Sequence, residues 1–180
     1  MYWNITKKIV QKIHNNEIIA WFEGGSEYGP RALCHRSLLA NPRDIKMLHR
    51  LNEIKQREYW RPLAPVITDV MFSEVFDCDK IWDLHRYMLA SEYIREKWRS
   101  KISAVCSVDY TARPQVIESG PLWELMINND LHVLINTSLN GKNEPIIETP
   151  EQAIEFCKKY SDITLIFVEN SRFYQYDRRS

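Results

Sequence analysis

Glycine is scarce in this 180-residue chain: there are five, and three of them, Gly24, Gly25 and Gly29, fall in one loop. Neither a Gly-x-x-x-x-Gly-Lys phosphate loop nor a Gly-x-Gly-x-x-Gly turn is present, which excludes the two familiar glycine-rich cradles for a nucleotide. Net charge is missing as well. With 24 basic and 24 acidic side chains the chain is formally neutral, which argues against a dedicated polyanion binder and against nucleic acid as a partner. No apolar run approaches the roughly 18 residues that a membrane helix needs. Met1 to Glu17 carries lysines and polar residues where a signal peptide would need an apolar segment, so a cytoplasmic protein with no membrane partner is expected. Cys34, Cys78, Cys106 and Cys157 form no close pair, which argues against a zinc ribbon or a redox dithiol, and all four are expected as thiols. What is plentiful is apolar residues, 44% of the chain. A domain of this length buries roughly 70% of its unfolded surface, so one globular domain over residues 1–180 is expected.

The neutral total hides an uneven distribution. From Arg31 to Arg61 there are eight basic residues (Arg31, Arg36, Arg43, Lys46, Arg50, Lys55, Arg57, Arg61) against three acids, a net of +5, balanced by -5 elsewhere. A local anionic ligand such as a phosphate group would use such a region, although a solvated basic surface is the plainer reading of any charge run.

Hydrophobic spacing predicts the elements. Ile5, Ile9 and Ile13 recur at helical intervals through Thr6 to Asn15, and Ile18 to Phe22 is a short apolar run suited to a buried strand. Asp44 is placed to cap a helix to about Tyr59, ended by Pro62 and Pro65, with Met47, Leu48, Leu51 and Ile54 as its apolar stripe. Strands are expected at Ala64 to Thr68, Tyr87 to Leu89, Ile102 to Val108, Val133 to Asn136 and Ile163 to Val168. Helices are expected at Pro121 to Asn128 and Pro150 to Tyr160, the latter with Thr149 as N-cap and proline at its first position. Helices alternating irregularly with strands predict an α/β fold, a mixed sheet covered by helices.

On the Asp44 to Tyr59 helix, Lys46, Arg50 and Arg57 fall on the flank away from the apolar stripe, but Lys55 falls within it. A lysine facing the core needs a partner, either an internal acceptor or an anionic ligand. Arg31 and Arg61 sit beside prolines that stiffen their backbones, which suits a phosphate clamp or a structural tie between loops. Asn136-Thr137-Ser138-Leu139-Asn140 presents short polar side chains on a turn after a strand, able to hold phosphate or ribose oxygens or to serve as an ordinary Asx-rich turn. Asp109 and Arg113 offer an ion pair or a ligand contact. Cys34-His35 lacks a third orienting group and is not read as a nucleophile.

Glu27-Tyr28-Gly29-Pro30-Arg31-Ala32-Leu33, Arg36-Ser37-Leu38-Leu39-Ala40-Asn41-Pro42-Arg43-Asp44, Arg50-Leu51-Asn52-x-Ile54-Lys55-x-Arg57-Glu58, Arg61-Pro62-x-Ala64-Pro65, Val108-Asp109-x-Thr111-Ala112-Arg113 and Asn136-Thr137-Ser138 occur in this order. Together, over about 24–168, they resemble the carboxy-terminal domain of the O-carbamoyltransferases of antibiotic and nodulation-factor biosynthesis. The resemblance implies a YrdC-like fold with a twisted mixed sheet. It also implies an activity, formation of carbamoyl adenylate from carbamoyl phosphate and ATP with Mg2+. A separate amino-terminal transferase domain of the sugar-kinase type, in cis or in trans and absent from this chain, would then pass the carbamoyl group to a hydroxyl. Carried over position by position, Arg31, Lys55, Arg61 and Arg113 match the basic residues that engage carbamoyl phosphate and the ATP phosphates, with Lys55, Arg61 and Arg113 in the catalytic role. Asn136 and Ser138 match the polar nucleotide contacts, and no tightly bound metal is implied. The family pattern carries glycine where this chain has Cys34, Tyr110 and Asn143. A nonenzymatic nucleotide-binding module and, ranked last, an RNA-binding domain are the competing readings.

Overall fold

The computed structural model describes residues 2–176, and side chains from residue 5 onward. A seven-stranded mixed sheet runs through it in the order β6-β3-β7-β2-β1-β8-β9. Its strands are β1 (Ile18–Glu23), β2 (Arg36–Ala40), β3 (Ala64–Thr68), β6 (Gln115–Ile117), β7 (Val133–Ser138), β8 (Ile163–Glu169) and β9 (Arg172–Gln175), while β4 (Glu92–Tyr93) and β5 (Thr111–Ala112) form a separate small hairpin. The pairs β1/β8 and β3/β6 are parallel and the remaining neighbours antiparallel.

The unbroken apolar run Ile18 to Phe22 follows from burial on both faces. Ile18, Ala20 and Phe22 join the core beneath α2 (Ile45–Ile54), α3 (Asp69–Val75) and α7 (Pro150–Lys158), whereas Ile19 and Trp21 join the core beneath α1 (Tyr2–His14) and α6 (Pro121–Ile127). A strand sandwiched in this way has no solvent face on which to alternate. Asp44 caps α2 by accepting from Lys46 N at 2.9 Å. Thr149 caps α7 in a reciprocal box with Gln152, which satisfies main-chain donors that a helix start leaves open.

The structure corrects three expectations. The helix from Asp44 ends at Ile54 rather than near Tyr59, because Lys55 is its C-cap and Gln56 turns left-handed at φ 46°. Tyr87 to Leu89 is a turn after the short α4 (Asp83–Arg86), with Met88 at φ 54°. Ile102 to Val108 holds a 3-10 turn at Ser103–Val105 following α5 (Glu96–Arg99), not a strand. Conversely, β2 carries no strand expectation: only Leu38 to Ala40 are apolar, and Arg36 and Ser37 disguise a segment whose five residues are all buried.

Candidate functional site

The C-terminal half of β7 carries Asn136 and Ser138, and Lys55 meets it there. Lys55 is 7% exposed, and its ammonium donates to Ser138 Oγ at 3.0 Å and to the Asn140 carbonyl at 3.1 Å, as well as to the Ser138 carbonyl and Asn140 Oδ1. None of these four acceptors is charged. Burial therefore dominates, with Arg57 adding repulsion and Glu144 opposing it, and the Lys55 pKa is pushed down to about 7. The apolar-stripe reading of Lys55 holds in the structure, where its acceptors come from Ser138 at the end of β7 and from Asn140 just after it; the expected turn from Asn136 is strand as far as Ser138.

Arg57 and Arg61 reach the same place through Asn52. This buried side chain donates to the Tyr59 and Arg61 carbonyls at 2.9 Å each and accepts from Arg57 Nε at 2.6 Å, which ties the 55–61 loop to α2. Burial and the neighbouring Arg61 lower the Arg57 guanidinium from its ordinary value, while Glu58 opposes them. Arg61 itself is exposed, with Glu58 3.7 Å away as its ion-pair partner. Two further residues thus belong with the expected set, Arg57 and Asn140. Extending the helix to Tyr59 set Arg57 on a solvent flank. The matching one-residue gaps in Lys55-x-Arg57 and Ser138-x-Asn140 are the signal for this grouping.

Two residues back along β7 lies Asn136, about 7 Å from Ser138 by strand geometry. It is 2% exposed. Its Nδ2 donates to the Ala32 carbonyl at 3.1 Å and to Gln115 Oε1, and its Oδ1 is buried with no hydrogen-bond partner. These bonds fix the neighbours of the remaining two arginines, since Arg31 precedes Ala32 and Arg113 lies two residues before Gln115. Neither arginine has a salt bridge among the described residues. Asp109, the alternative partner for Arg113, instead accepts from Thr111 N at 3.1 Å and Thr111 Oγ1 at 2.8 Å. Arg113 and Pro62 to Ala64 line one cleft of about 160 Å³ with Ser107 and Thr111.

The loop that carries Arg31 is held by Glu27, whose Oε1 accepts from the main-chain nitrogens of Leu33 (2.6 Å), His35 (2.7 Å) and Arg36 (3.1 Å). Arg36, buried and stacked 3.5 Å above the Phe22 ring, donates to four carbonyls, those of Glu23, Gly24, His35 and Glu148. Arg50 is held in a two-bond fork on Asp162 at 2.7 and 2.8 Å. Part of the basic segment is therefore scaffold, whereas Lys55, Arg57 and Arg61 lie together on and just after the end of α2. Cys34 is not a nucleophile: burial, and after it the charge of Glu27, pushes its thiol far up, and Sγ donates to Gln115 Oε1 at 3.2 Å.

Away from this site, Cys78, His85 and Glu92 bring three metal-type ligand atoms within 4.8 Å of one another. Their hydrogen bonds do not suit a cation. His85 Nδ1 accepts from Trp82 N at 3.0 Å, so the ring proton sits on Nε2, which donates to Glu92 Oε1 at 2.8 Å. The nitrogen facing the cluster has no free lone pair to give.

A mixed sheet with helices on both faces and a polar, cation-rich strand end defines this as a YrdC-like α/β domain. The family model described as "Carbamoyltransferase C-terminus" matches residues 10–174, and the chain belongs to that family. It is 33% identical over 159 residues to the nodulation protein NolNO of Sinorhizobium fredii, covering 84% of this chain and 23% of that protein. With the 3'-hydroxymethylcephem-O-carbamoyltransferase of Amycolatopsis lactamdurans it shares 40% identity over 148 residues, 78% of this chain and 28% of the relative. The chain thus spans about a quarter of the length of these relatives. Among solved structures, full-length HypF in its phosphate- and nucleotide-bound form superposes with a TM-score of 0.65 at 18% identity, over 96% of this chain and 28% of HypF, a likeness of fold. Among the described residues no helix is long and apolar enough to cross a membrane.

Proposed function

We propose that this chain binds ATP with its Mg2+ and carbamoyl phosphate and forms carbamoyl adenylate, which an amino-terminal transferase domain of the sugar-kinase type, in cis or in trans, passes to a hydroxyl. The observation that carries the reading is the buried Lys55 bonded to Ser138 and Asn140 at the end of β7, with Arg57 and Arg61 on the loop beside it; Arg31 and Arg113 join it in this reading because their chain neighbours Ala32 and Gln115 hold Asn136 on the same strand. Five cations from three chain segments, with a single long carboxylate contact among the described residues, create a field that a polyphosphate would neutralise. Family membership and the carbamoyltransferase named among the relatives supply the carbamoyl group.

In this reading water takes the phosphoryl group from carbamoyl phosphate, giving carbamate and inorganic phosphate. A carbamate oxygen then attacks the α-phosphorus of ATP, the bond to the β-phosphate breaks, and pyrophosphate leaves with the electron pair. Negative charge builds on the α-phosphoryl oxygens and on the departing pyrophosphate, where Lys55, Arg61 and Arg113 stabilise it without having to move far. Arg31 and Arg57 orient the phosphate chain, and Ser138 and Asn140 exchange their bonds to Lys55 for bonds to the nucleotide. The cleft beside Arg113 is too small for a whole nucleotide and suits the carbamoyl phosphate end.

The test is carbamoyl-phosphate-dependent exchange of labelled pyrophosphate into ATP by the purified, folded chain. Exchange that falls at least a hundredfold in Lys55→Met supports the assignment. ATP binding without any exchange would replace it with a nucleotide-binding module.

A further inference from the structure

A second cleft, of about 530 Å³, lies at the opposite end of the β2/β7 pair from Lys55. β7 starts there at Val133 and ends at Ser138 beside Lys55, so the two places are separated by the length of the strand, roughly 17 Å. The cleft lies across the ends of these two interior strands. The end of α1 reaches it from one face of the sheet, α5 and the turn after it from the other, and the segment after β2 forms its floor.

Its lining is chemically lopsided. Arg43, Lys101, His14 and His132 all open onto it, and Asp130 is its one acid. None of the four basic side chains forms a salt bridge among the described residues. Lys101 Nζ instead sits 4.8 Å from the Trp98 ring centroid, and His132 meets the same ring edge-on at 5.8 Å. Independently of these surface cations, Asn41 is 92% buried, as its 8% exposure records. Its Oδ1 accepts from Arg43 N at 3.1 Å, and its Nδ2 has no protein partner among the described residues. An amide donor that has no protein partner and opens to solvent in a cation-rimmed cleft is free to serve an anionic acceptor. Ile13, Leu131 and the Trp98 face supply an apolar wall beside it.

We infer that this cleft is a second ligand site, distinct from the Lys55 site, for a small molecule that carries a carboxylate, sulfonate or phosphate on an apolar body. Asn41 Nδ2, Arg43 and Lys101 hold the anionic group, and the Trp98 and Leu131 wall covers the apolar part. The volume lies within the range of small-molecule sites. The proposal is independent of the adenylation reading, because it uses none of the same residues.

The probe is 8-anilinonaphthalene-1-sulfonate, an anion on an aromatic body, titrated by fluorescence against the folded chain, with neutral N-phenyl-1-naphthylamine as the uncharged control. Saturable one-site binding of the sulfonate is expected, weakened at least tenfold in R43Q/K101Q and unchanged in K55M. Both altered cleft side chains are exposed, so the variant keeps its fold, which far-UV circular dichroism checks. The neutral probe should bind at least tenfold more weakly than the sulfonate. Unchanged affinity in R43Q/K101Q, loss of the site in K55M, or equal affinity for the neutral probe would each overturn the proposal.

Discussion

Lys55 offers the sharpest quantitative test of the site, because its protonation must change when an anion arrives. In the unliganded protein burial holds its pKa at about 7 instead of 10.5. At pH 8 about one in ten molecules then carries the proton on Lys55, whereas a bound phosphate chain, supplying the missing negative charge, would return the pKa toward its ordinary value and fill the site. Binding of Mg-ATP at pH 8 should therefore take up about 0.9 proton, falling to about 0.1 at pH 6, where the amine is already charged. Isothermal titration calorimetry in two buffers of different ionisation enthalpy reads this number as the slope of observed heat against buffer heat. Lys55→Met should abolish the uptake at pH 8. The same residue leaves a signature without ligand. Because the folded-state pKa lies below the unfolded one, the unfolded chain binds more protons between about pH 7 and 10.5, and stability rises with pH across that window by up to ~1.4 kcal/mol per pH unit. Below pH 7 both states are protonated and the slope vanishes. Zero proton uptake at pH 8 by the wild-type chain, or uptake that persists in Lys55→Met, would refute both the buried neutral amine and its role as phosphate partner.

Arg113 is exposed and has no salt bridge among the described residues, so Arg113→Ala should leave the melting temperature within a degree or two while weakening ATP at least tenfold by calorimetry; unchanged affinity would remove it from the site. Arg61→Lys should restore little of the exchange activity lost in Arg61→Ala if the contact is a planar fork, and full activity would exclude that geometry. Asn52→Ala strands the Tyr59 and Arg61 carbonyls and should cost about 1–3 kcal/mol in urea denaturation while also weakening ATP. Tyr110 stands at φ 64°, where a β-carbon costs ~1 kcal/mol. Tyr110→Gly should therefore be more stable than Tyr110→Ala, the reverse of the usual order, and the opposite ranking would count against a strained turn.

Where the chain spells out periodicity or caps, the fold is legible. The run Ile18 to Phe22, the α2 stripe and the Thr149 cap all stand in the structure as their side chains imply. Failures fall where tertiary contacts overrule local pattern. β2 is a central strand although it begins with a buried arginine, because Arg36 finds four carbonyls and an aromatic face. Ile102 to Val108 has strand-like composition, yet Ala104 N is claimed by the Pro42 carbonyl across the domain edge, and the segment curls into a 3-10 turn instead. The site was half legible. Lys55 announced itself by a charge on an apolar stripe, whereas Arg57 did not, because its position depends on a helix ending at Ile54 that no proline or glycine marks.

The end of that helix belongs to a wider pattern. Gln56 turns left-handed between Lys55 and Arg57, and the three residues standing where the family pattern has glycine do the same: Cys34 at φ 73°, Tyr110 at φ 64° and Asn143 at φ 56°. Each of these four lies within three residues of a cation or anchor of the site: Arg31, Lys55 and Arg57, Arg113, and Asn140. A left-handed residue reverses the chain more sharply than a right-handed turn, which in the proposed site lets four separate segments turn toward one end of β7. In glycine the conformation is free, but here it is strained and must be held by contacts. Cys34 has its bond to Gln115 and its buried site. Tyr110 has the Arg99 guanidinium 4.0 Å from its ring centroid, a contact worth ~0.5–1 kcal/mol at an exposed position. The chain has thus given up the glycines without giving up the backbone they permit. That is the physical reason a sequence so poor in glycine can still form the loops of the proposed anion site.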